Sequence, residues 1–175
     1  MSDDTTARLA LPYLAAGQMQ KHVTLNMALS RLDALVQLAV NSRSLAAQPT
    51  APADGDLHIL PTGRTGTDWS ARPVGTLVRF EAGVWDAITV PDGAIAAVRD
   101  AGELILRHGG AWVPLGDRLG RVQGLERLGI NASADAANPF VARLNAALWT
   151  ALETGSGGDG DLRLTLNKQA PADVL

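Results

Sequence analysis

A repeat inside the chain limits its fold more than any other feature. Displaced by 27 residues along itself, the sequence aligns Gly75–Trp85 with Gly102–Trp112, setting Gly75 on Gly102, Leu77 on Leu104, Val78 on Ile105, Gly83 on Gly110 and Trp85 on Trp112. Each copy reads as a strand, a tight turn at Ala82-Gly83 or Gly109-Gly110, and a second strand led by tryptophan. Glycine at those turns supplies the positive φ that a two-residue hairpin needs. The repeat therefore predicts two β-hairpins. Between them Pro91-Asp92-Gly93 predicts a turn and 94–99 a further strand, closed by Asp100-Ala101-Gly102. Upstream, the short apolar run 57–60 ends at Pro61 and Gly63 and is followed by a loop over 62–67. Four or more short antiparallel strands make a compact sheet or a small barrel.

The chain ahead of this region has a different period. From Thr24 to Val40 the apolar residues Leu25, Leu29, Leu32, Leu35, Val36 and Ala39 recur at helical spacing, with Asn26, Ser30, Arg31, Asp33 and Gln37 opposite them. This predicts an amphipathic helix with Thr24 as its N-cap, although Met27 stands where a capping box would place Glu or Gln. The wide apolar surface suits packing against the helix's own domain and against another subunit. Gly17 separates the helix from a segment whose Pro12 forbids continuous helix, and whose Leu9, Leu11 and Leu14 have no evident cover: an N-terminal arm. Pro49, Pro52 and Gly55 mark a linker or long turn over 48–56. The expected fold class is α+β and mostly β: an arm and helix over 1–47, a small antiparallel β domain with two Gly-x-Trp hairpins over 48–118, and a β-like extension over 119–175.

The extension is less determined. Leu144, Leu148, Ala151 and Leu152 share a helical face, yet 140–149 also reads as one or two short strands. The glycine-rich 155–160 is a connector, after which Leu162, Leu164 and Leu166 alternate with polar residues in a strand that needs a partner.

Catalytic chemistry is hard to place on this chain. It has no cysteine, which removes disulfides, thiolate metal sites and thiol nucleophiles. His22, His58 and His108 lie far apart and none has metal-ligand spacing; Asp54 with Asp56, and Asp159 with Asp161, sit in glycine-rich loops where aspartate stabilises turns. No nucleophile elbow, phosphate-binding loop or dinucleotide fingerprint occurs. The expectation is a protein without catalytic, cofactor-binding or metal-ligating residues. A net charge of -3 argues against nucleic acid as a partner, and all but Lys21 and Lys168 of the 15 cationic side chains are arginine. The acidic start Met1–Thr6 does not resemble an export signal, and the polar residues within 25–40 argue against membrane insertion. Of the four tryptophans, the repeat makes Trp85 and Trp112 equivalent core positions, while Trp69 falls in a loop and is expected to be exposed. Trp69 and Trp112 are the candidates for stacking on a sugar.

The segments Ala7–Asn26 and Leu32–Val40 resemble the N-terminal signature of an uncharacterised family of prophage and gene-transfer-agent structural proteins. The likeness runs from Ala7 to about Gly116; Met27 departs from the glutamate of the pattern. Beyond it, Leu128–Asp135 and Leu162–Lys168 are similar to a fibre-like continuation in longer relatives. The set as a whole is most similar to head-spike base proteins of alphaproteobacterial gene transfer agents. The resemblance implies a structural protein on the head surface of a virion-like particle, made in the bacterial cytoplasm. It would form a homo-oligomer, a pentamer at a fivefold vertex, between the major capsid protein and a fibre protein, with host capsular polysaccharide reached through the fibre. On that view Leu9, Leu11, Leu14, Gln20, His22, Leu25, Leu29 and Leu32 serve assembly and capsid contact, and Leu162, Leu164 and Leu166 meet the fibre. The competing expectation is a carbohydrate-binding module that contacts glycan itself through Trp69 or Trp112.

Overall fold

The computed structural model describes residues 4–15 and 21–165. Gln20 and Leu166, expected at the capsid and fibre contacts, lie outside the described residues. The chain divides into a unit up to Arg121 and a second beginning at Val122. The first contains α1 (Lys21–Leu35), β1 (Ala39–Val40), β2 (Leu57–Ile59), β3 (Leu77–Glu81), β4 (Val84–Ile88), β5 (Ile95–Val98), β6 (Glu103–His108) and β7 (Ala111–Pro114). The fold is thus mostly β with one helix near the N-terminus, as the sequence implies.

Both repeat copies are hairpins. Ala82 and Gly83 turn β3 into β4 with φ of 50° and 83°, and Gly109 and Gly110 turn β6 into β7 with φ of 57° and 76°. Positive φ at both central positions matches the right-handed twist of the flanking strands. Asp92, in the turn before β5, accepts from the Gly109 and Gly110 amides and holds the second turn in place.

Two sheets result, β2-β3-β4 and β1-β5-β6-β7. The β1 end joins them: Leu38 and Val40 carbonyls accept from Ala97 and Arg99 of the β5 side, while the Asn41 amide donates to Leu57 and the Ile59 amide to Ser42. The change of composition near Gln48 is therefore no boundary, because β1 pairs in parallel with β5 and the whole first unit shares a core. That core comprises Ala34, Leu38 and Val40 with Leu57, Ile59, Leu77 and Ile88 of one sheet and Ala96, Val98 and Ile105 of the other.

Strand alternation puts Val78, Phe80 and Trp85 on the opposite face of β2-β3-β4, and here the structure corrects the reading of Trp69. Trp69 is 0% exposed. Its loop folds over this face, so Trp69, Leu60, Val78 and Trp85 form a second core, with the Trp69 and Trp85 rings edge to face at 5.2 Å. Gln48 anchors the loop through Oε1, which accepts from the Asp68 and Trp69 amides. Trp69 is therefore no sugar platform.

The two repeat tryptophans also differ. Phe80 packs on Trp85 at 5.2 Å, whereas the equivalent pair in the second copy is Arg107 over Trp112 at 5.4 Å. Trp85 is buried; Trp112 is half-buried, with its Nε1 donating to the Gly75 carbonyl at 3.1 Å. The repeat conserves the hairpin and its register, while the surrounding loops decide the burial.

The second unit holds β8 (Leu128–Ile130) and β9 (Phe140–Ala142), paired in parallel. The helical alternative over 144–152 is not adopted, and Leu162 and Leu164 lie in a stretch without regular strand.

Truncation of a buried Trp typically costs about 3–5 kcal/mol. Trp85→Ala is expected to lose that much in denaturant unfolding, and Trp112→Ala distinctly less; equal losses would contradict the unequal burial. His58, between Trp69 and Trp85 at 5.2 and 5.7 Å, supplies a second test. Burial pushes its imidazole pKa below the ordinary 6.5, against the opposing pull of the Asp56 and Asp100 carboxylates. The unfolded chain then binds the proton more readily, so His58 contributes stability fully above pH 6.5 and loses it as pH falls through the folded pKa. The slope of Tm against pH below about 6.5 is expected to flatten in His58→Gln.

Candidate functional site

The arm, α1 and the β3–β4 hairpin meet in one place, built on polar groups. The arm folds on itself, Thr6 N donating to the Leu11 carbonyl and Tyr13 N to the Asp4 carbonyl at 2.9 and 2.7 Å. Asp33, buried on α1, takes the loop into its carboxylate: Thr6 Oγ1 donates to Oδ1 at 2.7 Å, Leu9 N to Oδ1 at 2.6 Å and Arg8 N to Oδ2 at 3.1 Å. The Arg8 guanidinium donates to the carbonyls of Asp33, Ala34 and Gln37, which are otherwise unpaired at the end of the helix. Asn26 completes the dock by exchanging hydrogen bonds with the Leu14 backbone at 2.9 and 3.1 Å.

This clamp turns the expected helix around. α1 is described from Lys21, so Thr24 lies inside it and is no N-cap, and it ends at Leu35, with Gln37 at a φ of 47°. Its buried residues are Ser30, Asp33 and Ala34, on the face expected to meet solvent. The leucine face points outward: Leu25, Leu32 and Val36 are exposed, Leu32 by 50%, and Leu29 is half-buried. Leu9, Leu11 and Leu14 are half-buried, so their expected lack of cover is corrected in part, and the arm meets the helix through its backbone at Leu9 and Leu14. His22 is half-buried, with Nδ1 enclosed and unpaired.

Beside the clamp lies a cleft of about 670 Å³ lined by Thr6, Tyr13, Ser30, Glu81, Val84 and Asp86 among others. Tyr13 Oη lies 2.6 Å from Ser30 Oγ and donates to Glu81 Oε1 at 3.3 Å, and Ser30 reaches the same carboxylate oxygen at 3.3 Å. Buried Arg79 pairs with Glu81 at 2.6 Å and with Asp86 at 3.9 Å. Burial raises the Tyr13 phenol pKa, against the hydrogen bond to Ser30 that lowers it, which keeps the phenol a neutral donor at physiological pH. Tyr13, Ser30 and Glu81 satisfy one another, while Arg79 Nε is enclosed without a hydrogen-bond partner. The cluster joins arm, helix and hairpin, and among the described residues it sets no nucleophile beside a free base.

Elsewhere, half-buried Trp112 with Arg107 borders two shallow clefts of about 220 and 280 Å³. Among the described residues no three His, Asp or Glu side chains are grouped to hold a metal, and no helix is long and apolar enough to cross a membrane. Sequence reasoning missed Arg8, Tyr13, Asp33 and Arg79. The available signal was Asp33 itself, a carboxylate one position from the apolar stripe with Thr6 and Arg8 upstream.

Residues 25–113, just over half of the chain, match the model of a family described as protein of unknown function (DUF2793). The chain belongs to this family. No curated protein matches it. The DUF2793 match spans most of α1 and both hairpins, stopping one residue short of the end of β7. The arm that clamps the helix lies outside it.

Replacing Asp33 leaves three donors without their acceptor, and a hydrogen bond to a charged group is worth about 1.5–3 kcal/mol. Asp33→Ala is expected to lose at least that much stability and to release the arm to proteolysis between Thr5 and Ala15 at concentrations that spare the parent. An arm equally protected in both would show that the carboxylate does not hold it.

Proposed function

We propose that this chain is a structural component of a virion-like particle: a capsid-mounted head-spike base that holds a fibre used for adhesion to host surface polysaccharide. The observation that carries the reading is the outward leucine face of α1. A domain with two cores of its own nevertheless leaves Leu25 and Leu32 of α1, and Val36 just past its end, in solvent on one side. A patch of that kind marks a protein interface. The structural account needs no catalytic group, and the internally satisfied Tyr13-Ser30-Glu81 cluster is consistent with it. The resemblance of Ala7–Val40 to the head-spike base signature supplies the specific partners: the major capsid protein on one side and the fibre protein on the other, with the base a homopentamer.

Leu25→Asp with Leu32→Asp should leave Tm within a few degrees of the parent, because neither side chain is in a core, yet abolish incorporation into particles. Native mass measurement of the assembly should give five copies. Normal decoration of particles by the double variant would place attachment elsewhere. The second reading, a carbohydrate-binding module, is favoured by one observation, Trp112 stacked with Arg107 beside two open clefts. Loss of glycan binding by purified Trp112→Ala, with its fold intact, would select it.

A further inference from the structure

The second unit has backbone order without a core. Among its described residues none is buried, and Val122, Leu125, Leu128, Ile130, Phe140 and Leu148 are among its exposed apolar side chains. Its ladder has three residues on each strand: Leu128, Gly129 and Ile130 pair in parallel with Phe140, Val141 and Ala142, flanked by Leu128 N to Pro139 O at 2.8 Å and Arg143 N to Ile130 O at 2.9 Å. Two such strands have no stability alone, and parallel ladders occur with their faces covered.

The register supplies the clue to what covers them. Leu128 stands opposite Phe140, a step of 12 residues, and the same step leads on to Leu152 and Leu164. All four are exposed, by 42%, 60%, 60% and 72%. A parallel ladder stacks successive segments about 4.8 Å apart, so carrying the step of the β8–β9 pair on to Leu152 and Leu164, which lie outside any strand here, would lay these side chains in a ridge along the stack. A surface that matches such a ridge must carry apolar groups at the same rise. Another copy of the segment does, when related by a rotation axis parallel to the stack, since that operation keeps equal rungs at equal heights.

We propose that the segment from Val122 to Thr165 is a self-assembling stalk, in which copies of this chain pack their Leu128, Phe140, Leu152 and Leu164 ridges about a common axis. Each 12-residue step is one rung. The cover for the apolar side chains comes from the other copies, and the stalk forms whether or not the first unit is attached to a capsid: the two deletions test the stalk alone, and incorporation into particles tests the head-spike reading.

The test is the native mass of the purified full-length chain and its deletion variants. Removing Phe140–Ala151 takes out one whole rung and puts Leu152 in register with Leu128; this chain should keep the parent's copy number. Removing Phe140–Asn145 takes out half a rung and should weaken self-association at least tenfold. Phe140→Asp with Leu152→Asp should weaken it likewise, while Leu25→Asp with Leu32→Asp, which alters only α1, should not. Because the parent has no cysteine, Phe140→Cys gives an independent readout and should form covalent dimers on mild oxidation. A monomeric parent, equal behaviour of the two deletions, or loss of association in the α1 variant would each overturn the proposal.

Discussion

The buried carboxylate of Asp33 is the interaction on which the arrangement of the first unit depends. A charge this enclosed is tolerated only with its acceptor sites filled, and the arm fills them with one hydroxyl and two backbone amides. Three results follow together. The arm is held on the helix, Arg8 is placed to pair the last helical carbonyls, and the polar side of α1 faces inward. With that side committed to hydrogen bonds, the leucine side has nowhere to go but outward.

The β portion rests on a different economy. The β2-β3-β4 sheet is covered on both faces, by the shared core on one and by the Trp69 loop on the other, and so reads as a nearly continuous apolar run at Leu57–Leu60. The second hairpin has one such face only: Ile105 is buried in the shared core, while Leu104, which aligns with buried Leu77, is exposed. Replacement of Phe80 by Arg107 at the equivalent point of the repeat fits this, since the guanidinium stacks on the indole of a half-buried Trp112 rather than inside a core. Divergence between the copies thus follows burial, and the glycine turns, which set backbone geometry, stay alike.

The two units differ in kind. One closes around its own cores and leaves the leucine side of α1 outside; the other has order in its backbone and no buried side chain among its described residues. In the functions proposed above, the missing cover comes from neighbouring chains.

The sequence by itself determined the local geometry: two hairpins from the Ala82-Gly83 and Gly109-Gly110 turns and repeated tryptophans, the turn at Pro91-Asp92-Gly93, the strand after it, and a helix ahead of the sheets. These rest on φ preferences and on periodicity, which are properties of a few adjacent residues. Tertiary structure alone decided which side of α1 is buried, that Trp69 is core, and where Tyr13, Ser30, Glu81 and Arg79 meet. Periodicity shows which residues share a face of an element but not which face finds a partner. That choice is made by groups 24 to 51 residues away in the chain, such as Leu9 on Asp33 and Glu81 on Ser30. Trp69 was misread for the same reason, because a loop is exposed only if no open sheet face lies within its reach, and the Gln48 anchor that closes it lies 21 residues upstream.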